Sequence, residues 1–137
     1  MISLLNYTDY TGTCANDSYN TLEISFNKEW TLVFNYTLLS KSSSYELNVI
    51  NLTYVVDSDQ FPNASKSALG RRNALGANLT DFSANKGNAY KCFSQTEIIL
   101  NDFATIDISN YIAQPFLNGN NQNLDTGNSY SIISYRF

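Results

Sequence analysis

Six asparagines stand in the triplet Asn-X-Ser/Thr, in which the side-chain amide can accept an N-linked glycan. A chain this rich in Asn, Ser and Thr contains several such triplets by chance. Only those on exposed turns or outward strand faces accept the bulky glycan. On that criterion we favour four of them, which are Asn16, Asn35, Asn63 and Asn78. The full set of candidate acceptors is Asn6, Asn16, Asn35, Asn51, Asn63 and Asn78.

The chain has two cysteines, Cys14 and Cys92, and we interpret both as structural. A reactive thiol needs a neighbouring group that lowers its pKa, and Lys91 is the only basic residue next to either cysteine. Two arrangements remain open: one Cys14–Cys92 bridge, or two unpaired cysteines whose partners lie elsewhere. A bridge that closes so long a loop stabilises a fold by roughly 4.5 kcal/mol on the chain-entropy model, before strain.

The residues needed for most catalytic chemistry are missing. The sequence has no histidine, so it can build neither a Ser-His-Asp or Cys-His catalytic group nor a His-ligated zinc site. Paired carboxylates occur as Asp57/Asp59 and Asp102/Asp107, and we interpret them as solvated loop acids rather than as a hydrolytic pair. We therefore predict a protein that is not an enzyme and that holds no metal or cofactor.

Composition indicates a folded domain that binds neither nucleic acid nor a bilayer directly. Of the 137 residues, 43% are hydrophobic and 15% are charged, which is too apolar for disorder. A net charge of -4 and a single basic pair, Arg71-Arg72, argue against a phosphate-binding stripe, so we expect no nucleic-acid partner. No apolar run approaches the roughly 20 residues that span a bilayer. We expect membrane contact only through a transmembrane segment outside this chain.

Alternating apolar residues predict a hairpin in the first third of the chain. Leu22–Phe26 and Trp30–Leu38 both alternate, and Asn27–Glu29 between them has the composition of a turn. Phe34 belongs to the apolar set. Asn35 therefore falls on the opposite face, where a glycan has room.

The next segment, Tyr45–Val56, predicts a long strand whose alternation changes phase. Leu47 belongs to one parity and Ile50 to the other, and a strand of strict period two cannot bury both on one face. We therefore predict a bulge near Asn48–Ile50. Beyond it, Asn51 points outward together with Thr53.

The remaining segments predict further strands and one short helix. Thr96–Leu100, Phe103–Ser109 and Tyr111–Leu117 read as a meander that follows Cys92, and Tyr130–Phe137 reads as a closing strand. Ser67–Gly76 is the one segment that we predict to be helical. The fold class predicted from these patterns is all-β, as a single antiparallel, sandwich-like domain over residues 1–137.

The order of these features resembles the luminal domain of the lysosome-associated membrane protein (LAMP) family. The cysteine segment Gly87–Cys92 is similar to the G-N-S-Y-K-C segment of that family, and Tyr111–Phe116 resembles its V-Q-A-F strand. The remaining matches are Gly12–Cys14, Leu22–Ile24, Trp30–Asn35 and Tyr45–Asp57. The resemblance covers most of the chain and implies a β-prism of antiparallel sheets.

The cysteines depart from the pattern that the resemblance implies. Family domains carry four cysteines, paired first with second and third with fourth, and this chain retains the second-like Cys14 and the third-like Cys92. Neither family disulfide can form within the chain. We favour a new Cys14–Cys92 bridge, because the loss of the two outer cysteines leaves a matched pair.

The resemblance also implies a function. We expect an N-glycosylated luminal ectodomain of a lysosomal or endosomal membrane protein, which shields the membrane or serves as a protein-interaction module. The alternatives are a trafficking adaptor for another membrane protein in synaptic or endosomal vesicles, and a sterol- or lipid-binding luminal domain. A membrane-protein partner or self-association fits the adaptor. An exposed apolar patch of several hundred Å² favours the adaptor, and a closed apolar pocket of about 300 Å³ or more favours the lipid binder.

Overall fold

The computed structural model describes residues 2–3, 7–16, 18–27, 29–101, 104–116 and 132–136, and the side chains of 11–12, 18–27, 29–101 and 104–116. Within that part of the chain the structure is built from strands, as the sequence predicted. Numbered β1 to β11 in chain order, they are Ile2–Ser3, Tyr7–Asn16, Tyr19–Phe26, Trp30–Leu39, Ser44–Val56, Gly70–Asn85, Tyr90–Cys92, Thr96–Leu100, Ala104–Ser109, Tyr111–Ala113 and Ile132–Arg136.

The strands form three sheets in which every described pairing is antiparallel. The largest sheet has the order β2-β3-β4-β5-β6, so that each strand pairs with its neighbour in sequence. A second sheet has the order β1-β11-β9-β8, and β10 pairs with β7 in a sheet of two strands. The all-β antiparallel fold class is confirmed.

The predicted hairpin is formed by β3 and β4. Phe26 pairs with Trp30 across the turn, where the Glu29 amide donates to the Asn27 carbonyl at 2.9 Å. Asn27 takes a φ of 47°, a conformation that asparagine tolerates better than most residues. Along β4 every second residue from Trp30 to Tyr36 is buried, so the predicted parity is confirmed.

The predicted bulge in β5 is also confirmed. Asn35 of β4 pairs with Val49, whereas the next residue, Tyr36, pairs with Leu47. The additional residue is Asn48, which is exposed. The shift lets the buried residues on both sides of the bulge face the core, because one additional residue reverses the parity of a strand.

The predicted helix is wrong. Lys66–Ala68 forms a single 3₁₀ turn, and from Gly70 the chain is extended in the 16-residue strand β6. Its pairing with β5 runs from Gly70 opposite Val56 to Asn85 opposite Ser44. Hydrogen bonding to a neighbouring strand outweighs the local helix preference of the Ala, Leu and Arg residues in this segment.

The segment after Cys92 is extended but does not form the predicted meander. β8 and β9 form a hairpin, and β9 also pairs with β11, the closing strand. β10 leaves that sheet and pairs with β7, with Tyr111 opposite Cys92. The predicted strand Tyr111–Leu117 is longer than β10, which ends at Ala113, and Phe103, Leu117 and Phe137 lie outside the described residues.

The core lies between the inner face of the five-stranded sheet and the two smaller sheets. Trp30, Phe34 and Ile108 are almost fully buried there, as the alternation predicted. The sheets meet closely at Gly76, where an added Cβ would lie 2.7 Å from Cδ2 of Leu100 on β8. A side chain at position 76 therefore has no room beneath β8.

One acid lies where the sequence did not predict it. Asp107 is on β9 with 3% of its surface exposed, so its interpretation as a solvated loop acid is wrong. Asp59 is exposed, and the Asp57 carboxylate accepts the backbone amides of Asp59 and Gln60 at 3.0 and 2.8 Å, a turn-forming arrangement. Asp102 lies outside the described residues.

Candidate glycan-bearing face and interlayer cleft

The solvent side of the five-stranded sheet, called the outer face below, is formed by the residues of each strand that point away from the core. Directly opposed residues of antiparallel strands share a face, so the pairings Glu23–Val33, Val33–Asn51 and Asn51–Leu75 define one row across four strands. Most residues of this face are Thr, Ser and Asn. It is therefore polar but carries little charge.

Asn35 lies on the outer face of β4, a central strand of the sheet. Its side chain is half-buried by its neighbours, and its Oδ1 atom accepts a hydrogen bond from the Tyr19 hydroxyl at 2.7 Å. The predicted outward direction of Asn35 is confirmed.

Asn51 lies on the same face, on β5, and is also half-buried. It points outward together with Thr53, as predicted. The Thr53 hydroxyl, which completes the triplet of Asn51, donates to Oδ1 of Asn73 on β6 at 2.9 Å. Asn35 and Asn51 are diagonal neighbours, because Asn35 pairs with Val49 two positions away from Asn51.

The other candidate acceptors lie at the ends and bends of the sheet. Asn63 is exposed in the loop between β5 and the 3₁₀ turn, and Asn78 is exposed on β6 with a φ of 60°. The backbone of Asn16 pairs with Tyr19 at the end of β2, and its side chain lies outside the described residues, as does all of Asn6. Glycan occupancy at each of these positions stays a prediction.

Cys92 is a free thiol at the end of β7 and is partly exposed. Its Sγ atom lies 3.4 Å from the Thr96 hydroxyl and 3.6 Å from the Ser94 hydroxyl, and it donates to the Ser94 carbonyl at 3.4 Å. Hydrogen bonds from Thr96 and Ser94 lower the pKa of the Cys92 thiol below its ordinary value. No histidine exists to act as a base beside it. The described partners of Sγ are thus two hydroxyls and a backbone carbonyl.

The predicted Cys14–Cys92 bridge is not part of this structure, because Cys92 is free. The side chain of Cys14 lies outside the described residues, but its backbone, on the edge strand β2 of the five-stranded sheet, pairs with Asn20 of β3. The strand that carries Cys92 contacts Tyr45 of β5 and Phe82 of β6, on the other side of that sheet. Because the side chain of Cys14 is outside the described residues, the pairing of Cys14 stays a prediction.

A cleft of about 280 Å³ separates β3 from β10 and is called the interlayer cleft below. Its lining is mainly apolar and includes Leu22, Ile112 and Pro115. Asn20 lies within it with 8% of its surface exposed, and its Nδ2 donates to the Pro115 carbonyl at 2.5 Å. Its Oδ1 atom is buried and accepts no hydrogen bond from any residue that the structure describes. A buried acceptor without a donor favours a ligand or a water that brings one.

Two buried tyrosines face each other across the core at the end of this cleft. The hydroxyls of Tyr36 on β4 and Tyr111 on β10 form a hydrogen bond, and both residues line the cleft. Burial raises the pKa of Tyr111 well above its ordinary value. The pair joins the five-stranded sheet to the sheet of β7 and β10.

Tyr45 joins the same two sheets at a second point. Its hydroxyl lies 3.0 Å from the Asn88 carbonyl and 2.9 Å from the Ala113 carbonyl, and it accepts the backbone amide of Tyr90 at 3.0 Å. Burial raises the pKa of Tyr45. Tyr45 itself is fully buried, and its partly buried hydrogen bonds hold β7 and β10 against β5.

Other kinds of site are not seen in the described part of the chain. No group of three or more His, Cys, Asp or Glu side chains gathers there to hold a metal ion. None of its helices is long and apolar enough to cross a bilayer. The large exposed apolar side chains are spread over several elements rather than confined to one strand: Tyr19, Leu39, Leu69, Leu75, Phe93 and Ile99.

Sequence reasoning found the outward asparagines and missed both the cleft and the partner of Asn35. Tyr19 is 16 residues from Asn35 in sequence, and the strand register alone brings them together. Asn20 lies two residues before Leu22 and therefore on the same, apolar face of β3. A polar residue in an apolar stripe was the one signal that pointed to the cleft.

Comparison with known families identifies the fold. The sequence model described as "Lysosome-associated membrane glycoprotein 2-like, luminal domains" matches residues 5–127. No curated protein and no solved structure matches the chain. The family match covers most of the 137 residues and agrees with the antiparallel sheets described above. The chain therefore belongs to the family of lysosome-associated membrane glycoprotein 2-like luminal domains.

Proposed function

We propose that the domain is a non-enzymatic, N-glycosylated luminal ectodomain that shields a lysosomal or endosomal membrane or serves there as a protein-interaction module. The family to which the chain belongs supports a luminal setting. The observation that carries the proposal is the position of the acceptor asparagines. Asn35 and Asn51 lie on the outer face, and Asn63 and Asn78 are exposed.

The geometry suits glycans because none of these four side chains points into the core. A glycan joins the Nδ2 atom of asparagine, so that polar sugar extends into water from the sheet without displacing a packed side chain. The outer face has little charge and much Thr, Ser and Asn. Sugar hydroxyls therefore meet hydrogen-bonding groups beside Asn35, and a more apolar surface formed by Val33 and Leu75 beside Asn51.

Expression in eukaryotic cells tests the proposal directly. We expect several N-glycans, which a glycosidase removes with a stepwise fall in mass, and peptide mapping that places them on the exposed acceptors. Single Asn→Gln variants at Asn63 and Asn78 should each remove one glycan, and the variant Asn73→Gln, outside any triplet, is the matched control. A mass that does not change on glycosidase treatment refutes the proposal.

Residence in the lysosome or endosome needs its own measurement. In the full-length protein expressed in its host cells, we expect the domain to colocalise with lysosomal or endosomal markers and to be protected from protease until the vesicle membrane is permeabilised. Protease digestion of intact vesicles, with a cytosolic-tail epitope as the control, places the domain on one side of the membrane. Digestion without permeabilisation contradicts the luminal assignment.

A second proposal rests on the interlayer cleft, namely that it binds a small amphiphile such as a sterol. Its apolar lining and the unmatched Oδ1 atom of Asn20 suit an apolar molecule with one hydroxyl. Its volume of about 280 Å³ accommodates part of such a molecule rather than the whole. Binding of the fluorescent sterol dehydroergosterol tests it: Ala113→Trp, which fills the cleft, should abolish saturable binding, and Leu75→Trp on the outer face should not.

A further inference from the structure

Tyr19 lies beside Asn35 on the outer face, where its side chain is partly exposed rather than packed in the core. It begins β3 on the outer face, with 39% of its surface exposed. Thr21 is the residue directly opposite Asn35, so Tyr19 is its diagonal neighbour, at a spacing of roughly 7–8 Å between Cα atoms. The tyrosine reaches across that gap, and its hydroxyl donates to Asn35 Oδ1 at 2.7 Å.

This hydrogen bond uses the one amide atom that N-glycosylation leaves unchanged. Glycan transfer forms a bond between Asn35 Nδ2 and the anomeric carbon of the first sugar. It breaks the bond from that carbon to a lipid-linked diphosphate, which departs as the leaving group, and Nδ2 loses one proton. Oδ1 stays a carbonyl oxygen and can still accept from Tyr19 after transfer. Among the described side chains, none hydrogen-bonds to Nδ2 of Asn35.

We propose that Tyr19 is a docking residue for the stem of the glycan at Asn35. Its hydroxyl fixes the plane of the Asn35 amide, and its exposed ring offers an apolar face to the C–H side of the first sugar. The inference rests on the proposed glycosylation of this domain. It adds a site that holds the carbohydrate stem against the sheet rather than leaving it free in water.

Asn51 shows what the site would be without the aromatic ring. It also lies on the outer face, but its cross-strand neighbours are Val33 and Leu75. Its diagonal neighbours are Thr31, Asn35, Asn73 and Ala77, so no aromatic residue stands beside it on either adjacent strand. Asn35 and Asn51 therefore form a matched pair of acceptors on one surface, of which the first has the docking residue.

A thermodynamic cycle on glycosylated protein tests the proposal. The melting temperature is measured for the parent, Asn35→Gln, Tyr19→Ala and the double variant, each made with glycans in eukaryotic cells and without them in bacteria, so that the coupling due to the Tyr19–Asn35 hydrogen bond alone is subtracted. We expect the glycan at Asn35 to raise the melting temperature by about 3 °C in the parent and by less than about 1 °C in the Tyr19→Ala background. Asn51→Gln in both backgrounds is the matched control, and its effect should not depend on Tyr19.

Asn16 needs the same control, because its backbone pairs directly with Tyr19. If Tyr19 docks the glycan at Asn35, the effect of that glycan on the melting temperature still depends on Tyr19 in the Asn16→Gln background. If the coupling vanishes in that variant, the docking residue belongs to Asn16 and the assignment to Asn35 is overturned. An equal gain from the Asn35 glycan with and without Tyr19 overturns the proposal altogether.

A second readout separates docking from an effect on the fold. Glycoamidase releases glycans from the native protein, and a docked stem is less accessible to it. Release at Asn35 should be faster in Tyr19→Ala, whereas release at the exposed Asn63 should be unchanged. Tyr19→Phe removes the hydrogen bond and retains the ring. Because the ring stacks on the first sugar in our proposal, this variant should keep most of the protection against glycoamidase.

The outcomes also distinguish this inference from the proposed function. Glycans mapped to Asn63 or Asn78 but not to Asn35 overturn the docking site and leave the glycosylated ectodomain standing. A protein without glycans at any acceptor overturns both. Equal release at Asn35 with and without the Tyr19 ring overturns the docking site alone.

Discussion

The buried hydroxyl pair of Tyr36 and Tyr111 makes a quantitative prediction about how the layers are joined. Each hydroxyl has the other as its described partner, and both residues have 4% of their surface exposed. Replacing one tyrosine by phenylalanine leaves the other hydroxyl buried without a partner, which costs about 1–3 kcal/mol. Both residues line the interlayer cleft, so water can approach the surviving hydroxyl. We therefore expect the lower part of that range, about 1–2 kcal/mol.

The double variant Tyr36→Phe/Tyr111→Phe should be less destabilised than the sum of the two single variants. It removes both polar groups together, and replacing both partners of a buried pair by apolar groups is nearly neutral. We expect its free energy of unfolding to lie within about 1 kcal/mol of the parent. The coupling between the two positions then measures the hydrogen bond itself.

Urea denaturation followed by far-UV circular dichroism measures these differences. With a slope near 2 kcal/mol per M, each single variant should lower the midpoint by about 0.5–1 M. Tyr19→Phe is the matched control, because it removes an exposed hydroxyl and should change stability by less than about 0.5 kcal/mol. If the double variant loses as much as the two single variants together, the hydroxyls are not partners and the proposed joint between β4 and β10 is refuted.

Three further predictions follow from the core and the cysteines. Gly76→Ala should destabilise the fold by about 1–3 kcal/mol in thermal unfolding, because the new Cβ meets Leu100; an unchanged melting temperature contradicts the close approach. Above pH 10, the tyrosines of the unfolded chain ionise while Tyr111 of the folded protein stays protonated. The folded state then binds more protons than the unfolded state, so the free energy of unfolding falls as pH rises. Tyr111→Phe should reduce the slope of that fall by up to about 1.4 kcal/mol per pH unit. Non-reducing peptide mapping decides between the two arrangements of Cys14 and Cys92: a linked peptide supports the predicted bridge, and two unlinked thiols contradict it.

Period-two patterns explain which parts of the fold were predictable. The β3–β4 hairpin, the bulge at Asn48 and the outward direction of Asn35 and Asn51 all follow from which parity of a strand is apolar. Each needs information from one or two neighbouring strands alone. The acceptor positions on the outer face were therefore within reach of sequence reasoning.

Features that depend on pairing between distant segments were not predictable. β6 has residues that favour a helix, and its extended form comes from pairing with β5 over Gly70–Leu79 and again over Ser83–Asn85. The burial of Asp107 and the switch of β10 from β9 to β7 come from the order of strands in space, which no local pattern specifies. The interlayer cleft arises from that switch, and so it was missed as well.

Many small extracellular domains connect distant segments by a disulfide, whereas here the Tyr45 hydroxyl connects them by hydrogen bonds. It holds three backbone segments together, at Asn88, Tyr90 and Ala113, close to the free Cys92. These contacts are hydrogen bonds rather than disulfides, so a reducing agent cannot cleave them. The packing of β7 and β10 through Tyr45 therefore does not depend on how reducing the surrounding compartment is.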